Sequence, residues 1–107
     1  MPTVHCGSTL RIPLSVENPG QEPMAEMRFA CLAVSGGEVS AGELLEAKAF
    51  RFEPELLSVA PRDFEKLTVY VDVPETAAPG LYEAKIGPSP GDFEIVLRLQ
   101  VIPAAEA

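Results

Sequence analysis

A chain of 107 residues is the size of one ordinary domain, and its 47% hydrophobic content can fill a single core without a metal or a disulfide staple. Sixteen acidic residues against eight basic ones give a net charge of −8, which repels phosphate backbones and anionic bilayers. No apolar run approaches the roughly 20 residues of a membrane-spanning helix, so neither nucleic-acid binding nor membrane insertion is expected.

The N-terminus, Met1-Pro2-Thr3-Val4-His5-Cys6, has no basic leader followed by an apolar run. A complete chain is therefore expected to be cytoplasmic, whereas an excised or processed domain is expected to be extracytoplasmic. Residues 9–17 alternate Leu10, Ile12, Leu14 and Val16 against polar side chains and Pro13, the pattern of a strand with one buried face. Pro13 cannot donate to a ladder, which places this strand at a sheet edge or at a bulge. Asn18-Pro19-Gly20 then reverses the chain.

Residues 26–34 form a second strand whose register is ambiguous, since Phe29 and Cys31 fall on one face and Leu32 and Val34 on the other. Ser35-Gly36-Gly37 ends it. Residues 41–48 contain good helix formers and read as one helical turn or an irregular crossover. Short strands follow at residues 50–53 and 56–59. Residues 63–73 carry the cleanest alternation, Leu67, Val69, Val71 and Val73 against Thr68, Tyr70 and Asp72.

Pro74 stops that strand and residues 75–80 make a corner. Residues 81–86 return with Tyr82, Ala84 and Ile86 on one face, residues 87–91 form a turn-rich break, and residues 92–102 make the last strand. Seven or so strands separated by turns predict an all-β, immunoglobulin-like antiparallel β-sandwich with Greek-key connections, one domain over residues 1–107. The expected core includes Ile12, Leu14, Val69, Val71, Tyr82, Ile86, Ile95, Leu97 and Leu99.

Three segments together, Phe52-Glu53-Pro54 through Ala60-Pro61, Leu67 through Pro74, and Ala78-Pro79-Gly80-Leu81-Tyr82, resemble the C-terminal half of bacterial and archaeal Ig-like accessory domains. That group includes the family associated with glycosidase carbohydrate-binding modules and the cell-adhesion-related CARDB type. The resemblance spans residues 50–102, with weaker support from residues 8–20, and implies a fold more than an activity. It also implies a glycine after Ala60-Pro61, where this chain has Arg62-Asp63. Tyr82, opening a strand after a corner, fits the tyrosine corner of Greek-key sandwiches.

Candidate chemistry is sparse. His5, the only histidine, sits beside Cys6 and is a poor basis for a nucleophile and base pair. With sixteen carboxylates, pairs such as Glu43 with Glu46 or Glu53 with Glu55 read as solvated surface rather than glycosidase machinery. Cys31 reads as a buried free thiol, with a Cys6–Cys31 disulfide as the alternative. His5, Cys6, Met24 and Met27 are ligands suited to copper if the N-terminal strand lies beside residues 24–27. No calcium loop or phosphate-binding glycine loop is present, and the lack of tryptophan weakens a carbohydrate-binding reading.

The expected function is a non-catalytic binding or accessory module without a cofactor, acting through a protein partner or by self-association. Its expected surface includes the outward-facing Tyr70, Val96 and Arg98, and its unpaired strand edges could join two copies. A small copper-binding protein and a carbohydrate-associated accessory domain are the alternatives.

Overall fold

A computed structural model describes residues 1–37 and 42–104. Among them are eight strands: β1 (Thr3–His5), β2 (Thr9–Asn18), β3 (Met24–Gly36), β4 (Phe50–Glu53), β5 (Leu57–Val59), β6 (Asp63–Asp72), β7 (Gly80–Ser89) and β8 (Ile95–Ile102). They form a five-stranded sheet in the order β1-β8-β7-β3-β5 and a three-stranded sheet in the order β2-β6-β4. Every pairing is antiparallel except β1 with β8, which is parallel. The chain is an immunoglobulin-like β-sandwich.

The alternation in the sequence becomes the division between core and surface. On β6, Leu67, Val69 and Val71 are fully buried while Thr68, Tyr70 and Asp72 face outward. From the opposite sheet Tyr82, Ala84, Ile86, Leu97, Leu99 and Val101 close the core. Ile12, Leu14 and Ile95, expected inside, are only half-buried. For Ile12 and Leu14 the reason is topological, since β2 is an edge strand of the narrower sheet, which is also where Pro13 is tolerated.

The ambiguity of β3 has a geometric cause. Cys31 pairs with Ile86 but Ala33 pairs with Lys85, so one extra residue is accommodated between them. Before this bulge Met27, Phe29 and Cys31 point inward; after it Val34 does, leaving Leu32 exposed. A second irregularity lies between Met24 and Met27, where Glu26 adopts a positive φ and its N–H donates to Ser58 Oγ.

Two local readings are corrected, while the helical turn or irregular crossover expected over residues 41–48 holds in its described part. Residues 87–89, expected as a break, continue β7, with Gly87 opposite Ala30 and Pro88 opposite Phe29. β8 stops pairing at Ile86, so beyond it β7 has an open side that accommodates a residue without an N–H. β8 accordingly begins at Ile95 rather than at residue 92. In the 41–48 segment, residue 41 lies outside the described residues, Glu43 bridges to Ala77, and helical geometry is limited to a 3-10 turn at Ala47–Ala49.

The corner before β7 is fixed by Tyr82, whose hydroxyl donates to the Ala78 carbonyl at 2.6 Å. Gly36, at a φ of 109°, lies so close to the Leu81 carbonyl that any side chain there would collide with backbone. The two thiols are both free; Cys31, expected to be buried, is only half-buried, while Cys6 is buried and donates to the Ala77 carbonyl at 3.2 Å.

Candidate interaction surface

Strand pairing decides which outward side chains become neighbours. In the three-stranded sheet Tyr70 stands opposite Arg11 on β2 and opposite Arg51 on β4, so one row reads Arg11, Tyr70, Arg51. The Arg51 guanidinium carbon lies 4.9 Å from the Tyr70 ring centroid, a cation–π contact. In the row beside it Asp72 accepts from Arg51 Nε, from an Arg51 terminal nitrogen at 3.0 Å and from Thr9 Oγ1 at 2.8 Å. The Arg51 hydrogen bonds, followed by that of Thr9, hold the Asp72 carboxyl below the usual carboxylate range. One carboxylate thus ties all three strands together.

Further along the same face, Thr68 pairs with Pro13 and Lys66 with Ser15, and Phe64 pairs with Glu17 while remaining 55% exposed. Arg11, Pro13, Ser15, Phe64, Lys66 and Thr68 surround an open depression of about 340 Å³. A second cleft, of about 460 Å³, opens at the side of the sandwich where β4 approaches β3. There Arg28, Phe29, Phe50, Phe52, Glu53 and Glu55 meet Arg51 and Tyr70.

Tyr70, Val96 and Arg98 are each on an outward face, but they do not share one. Tyr70 belongs to the three-stranded sheet; Val96 and Arg98 belong to β8 in the five-stranded sheet, on the far side of the core. Arg98 donates to Glu83 Oε2 at 3.1 Å, and Val96 stands opposite Lys85. A single surface made of all three residues is therefore corrected to two separate faces. Arg11 and Arg51 join Tyr70 only through inter-strand register, which no local pattern in the sequence encodes, whereas Phe64 lies on β6 itself and shares the face of Tyr70 by the period-two alternation.

The copper arrangement required the N-terminal strand to lie beside residues 24–27, and it does not. β8 and β7 separate β1 from β3. His5 is opposite Ile102, near the Gly80 end of β7, whereas Arg28, next to Met27, is opposite Ser89 at the other end. The ten residues of β7 span about 30 Å. Nor do His5 and Cys6 form a pair: His5 is exposed with Nδ1 at 2.9 Å from the Pro103 carbonyl, while Cys6 turns into the core. Among the described residues no three His, Cys, Asp or Glu side chains are grouped to hold a metal.

No family model matches the sequence, and no curated protein matches it. Solved structures share the fold. A family 123 glycoside hydrolase from Clostridium perfringens, studied for glycolipid glycan hydrolysis, is similar at a TM-score of 0.62 and 10% identity, over 94% of this chain and 23% of that one. An ASH/PapD-like domain of human CEP192 is similar at 0.54 and 22% identity, over 99% and 79%. The CupB2 chaperone of Pseudomonas aeruginosa is similar at 0.51 and 15% identity, over 96% and 52%. The chain thus spans about a quarter of the hydrolase and about half of the chaperone.

Proposed function

We propose that this domain is a non-catalytic docking module that binds a protein partner through the outer face of its three-stranded sheet. The observation that carries the reading is the row Arg11, Tyr70, Arg51 with the exposed Phe64 beyond it. Tyrosine, phenylalanine and arginine are enriched at protein interfaces, and tyrosine and arginine at their energetic centres as well. Ion pairing of Arg51 to Asp72 holds one wall of that face in place before a partner arrives, which lowers the ordering cost of binding. The outward His5 and inward Cys6 supply no nucleophile and base pair, in keeping with a non-catalytic role.

Quantitative affinity capture tests the reading with three baits: the unmodified domain, a Phe64→Ser/Tyr70→Ala variant and a Val96→Ser/Arg98→Ala variant. A partner lost from the first variant and kept by the second is expected. A partner kept by the first and lost from the second moves the docking surface to the other sheet.

A second reading, association along a strand edge, is favoured by β8, which meets β1 only from Gln100 to Ile102. Among the described residues its stretch from Ile95 to Leu99 has no partner on that side, a template for a strand from a second copy. Light scattering across a dilution series tests it: a dimer that a proline at Arg98 abolishes supports the edge, and a monomer at every concentration removes it.

A further inference from the structure

We infer that the depression between β2 and β6 receives an acidic segment of a protein partner, its carboxylates engaged by Arg11 and Lys66 and an apolar side chain by Phe64. This deepens the docking reading and rests on it.

Charge carries the inference. Acidic residues outnumber basic ones two to one in the whole chain, yet the lining contains two cations and no carboxylate: Arg11, Pro13, Leu14, Ser15, Phe64, Lys66 and Thr68. The ion pairs among the described residues are Lys48 with Glu46, Arg51 with Asp72 and Arg98 with Glu83, so neither Arg11 nor Lys66 has a partner there. Both are exposed, and register places them on the same face, Arg11 opposite Tyr70 and Lys66 opposite Ser15. The nearest carboxylates on that face stand at its margins: Glu17 opposite Phe64, Glu53 opposite Thr68, and Asp72, already committed to Arg51 and Thr9.

The net charge of −8 disfavours an acidic approach as a whole, while the two cations of this depression favour one locally, and such complementarity sets both register and encounter rate. The hydroxyls of Ser15 and Thr68 line the same depression and can donate to a carboxylate or to a peptide carbonyl. Pro13 lies on the edge strand and interrupts its donors, so the occupant lies across the face rather than extending the sheet along β2. A long nucleic acid polyanion is disfavoured by the net charge of −8, which a short segment of mixed acidic and apolar residues meets only locally.

The test is a titration of the isotope-labelled domain, followed by amide chemical shifts. The probes are a synthetic peptide of Asp and Glu around a central Leu, its Asn/Gln counterpart, and a single-stranded oligonucleotide. Shifts confined to Arg11, Leu14, Ser15, Phe64, Lys66 and Thr68 with the acidic peptide are expected, weakening with added salt, together with a loss of about tenfold or more in affinity for the Asn/Gln peptide and for Arg11→Glu/Lys66→Glu. Arg11→Gln/Lys66→Gln serves if charge reversal perturbs folding. Equal binding of the neutral peptide, shifts elsewhere or none, or equal binding of the oligonucleotide overturns the inference. Concentration-dependent shifts of the same residues without peptide also overturn it, by identifying a second copy as the occupant. A captured partner that survives Arg11→Glu/Lys66→Glu but not Phe64→Ser/Tyr70→Ala leaves the docking face standing and removes only its acidic specificity.

Discussion

Tyr82 Oη donates a 2.6 Å hydrogen bond to the carbonyl of Ala78, four residues earlier, and both residues are buried. The bond closes the corner from which β7 enters the core. Tyr82→Phe keeps the ring but orphans a buried carbonyl, so it should lower unfolding free energy by about 1–2 kcal/mol, read as a shift in urea midpoint at unchanged slope. Burial raises the Tyr82 hydroxyl above its usual range, with the Leu45 backbone pulling the other way. The folded state therefore holds this proton more tightly than the unfolded state does. Stability is full below about pH 10 and falls as pH rises through the folded pKa, so the gap between wild type and Tyr82→Phe should narrow in that alkaline range.

Arg62 occupies the left-handed region at a φ of 57°, a conformation that glycine adopts without steric cost. A side chain there costs free energy that glycine avoids, partly offset by the greater freedom of glycine in the unfolded chain. Arg62→Gly should therefore raise stability by about 0.5–1 kcal/mol. A lower melting temperature for that variant would show that the Arg62 side chain makes a stabilising contact.

Asn18 is buried, and its three side-chain hydrogen bonds all go to backbone. Nδ2 donates to the carbonyls of Glu22 at 2.7 Å and Val59 at 3.2 Å, and Oδ1 accepts from the Gly20 N–H at 3.0 Å. The side chain thus shapes the β2–β3 turn and ties it to β5. Asn18→Ala should cost about 1–3 kcal/mol by thermal or urea unfolding, because the buried Val59 carbonyl and the part-buried Glu22 carbonyl lose this donor.

Asp72 titrates below the ordinary carboxylate range because Arg51, and then Thr9, bind its charged form. A depressed folded-state pKa contributes stability above the unfolded value of about 3.9 and loses it as pH falls through the folded value. Asp72→Asn should therefore flatten the acid limb of the stability curve below about pH 4 while leaving the curve near neutrality almost parallel to wild type. An unchanged acid limb would contradict this, and salt should shrink the difference because the pair is partly exposed.

Legibility in the sequence followed how local each determinant is. β6 and β8 read cleanly because burial on one face prints a period of two directly onto residues such as Val69, Val71, Leu97 and Leu99. β3 did not, since the extra residue at Leu32 shifts the inward phase from Phe29 and Cys31 to Val34. The continuation of β7 through Pro88 was hidden because proline signals a break unless one side of the strand is unpaired. The candidate face was half legible: alternation gave Tyr70 its outward position, but its flanking by Arg11 and Arg51 depends on pairings across 59 and 19 residues, the differences between 70 and 11 and between 70 and 51. The same dependence on pairing separated Val96 and Arg98 from Tyr70, and His5 from Met27.

The most direct test of the docking face is site-specific photocrosslinking, with p-benzoylphenylalanine replacing Ser15 on the three-stranded sheet or Gln100 on the five-stranded sheet, both exposed strand positions. A covalent adduct with a partner protein from the Ser15 position, absent from the Gln100 position and suppressed by Phe64→Ser/Tyr70→Ala, is the predicted result. An adduct from Gln100 with none from Ser15 would contradict it.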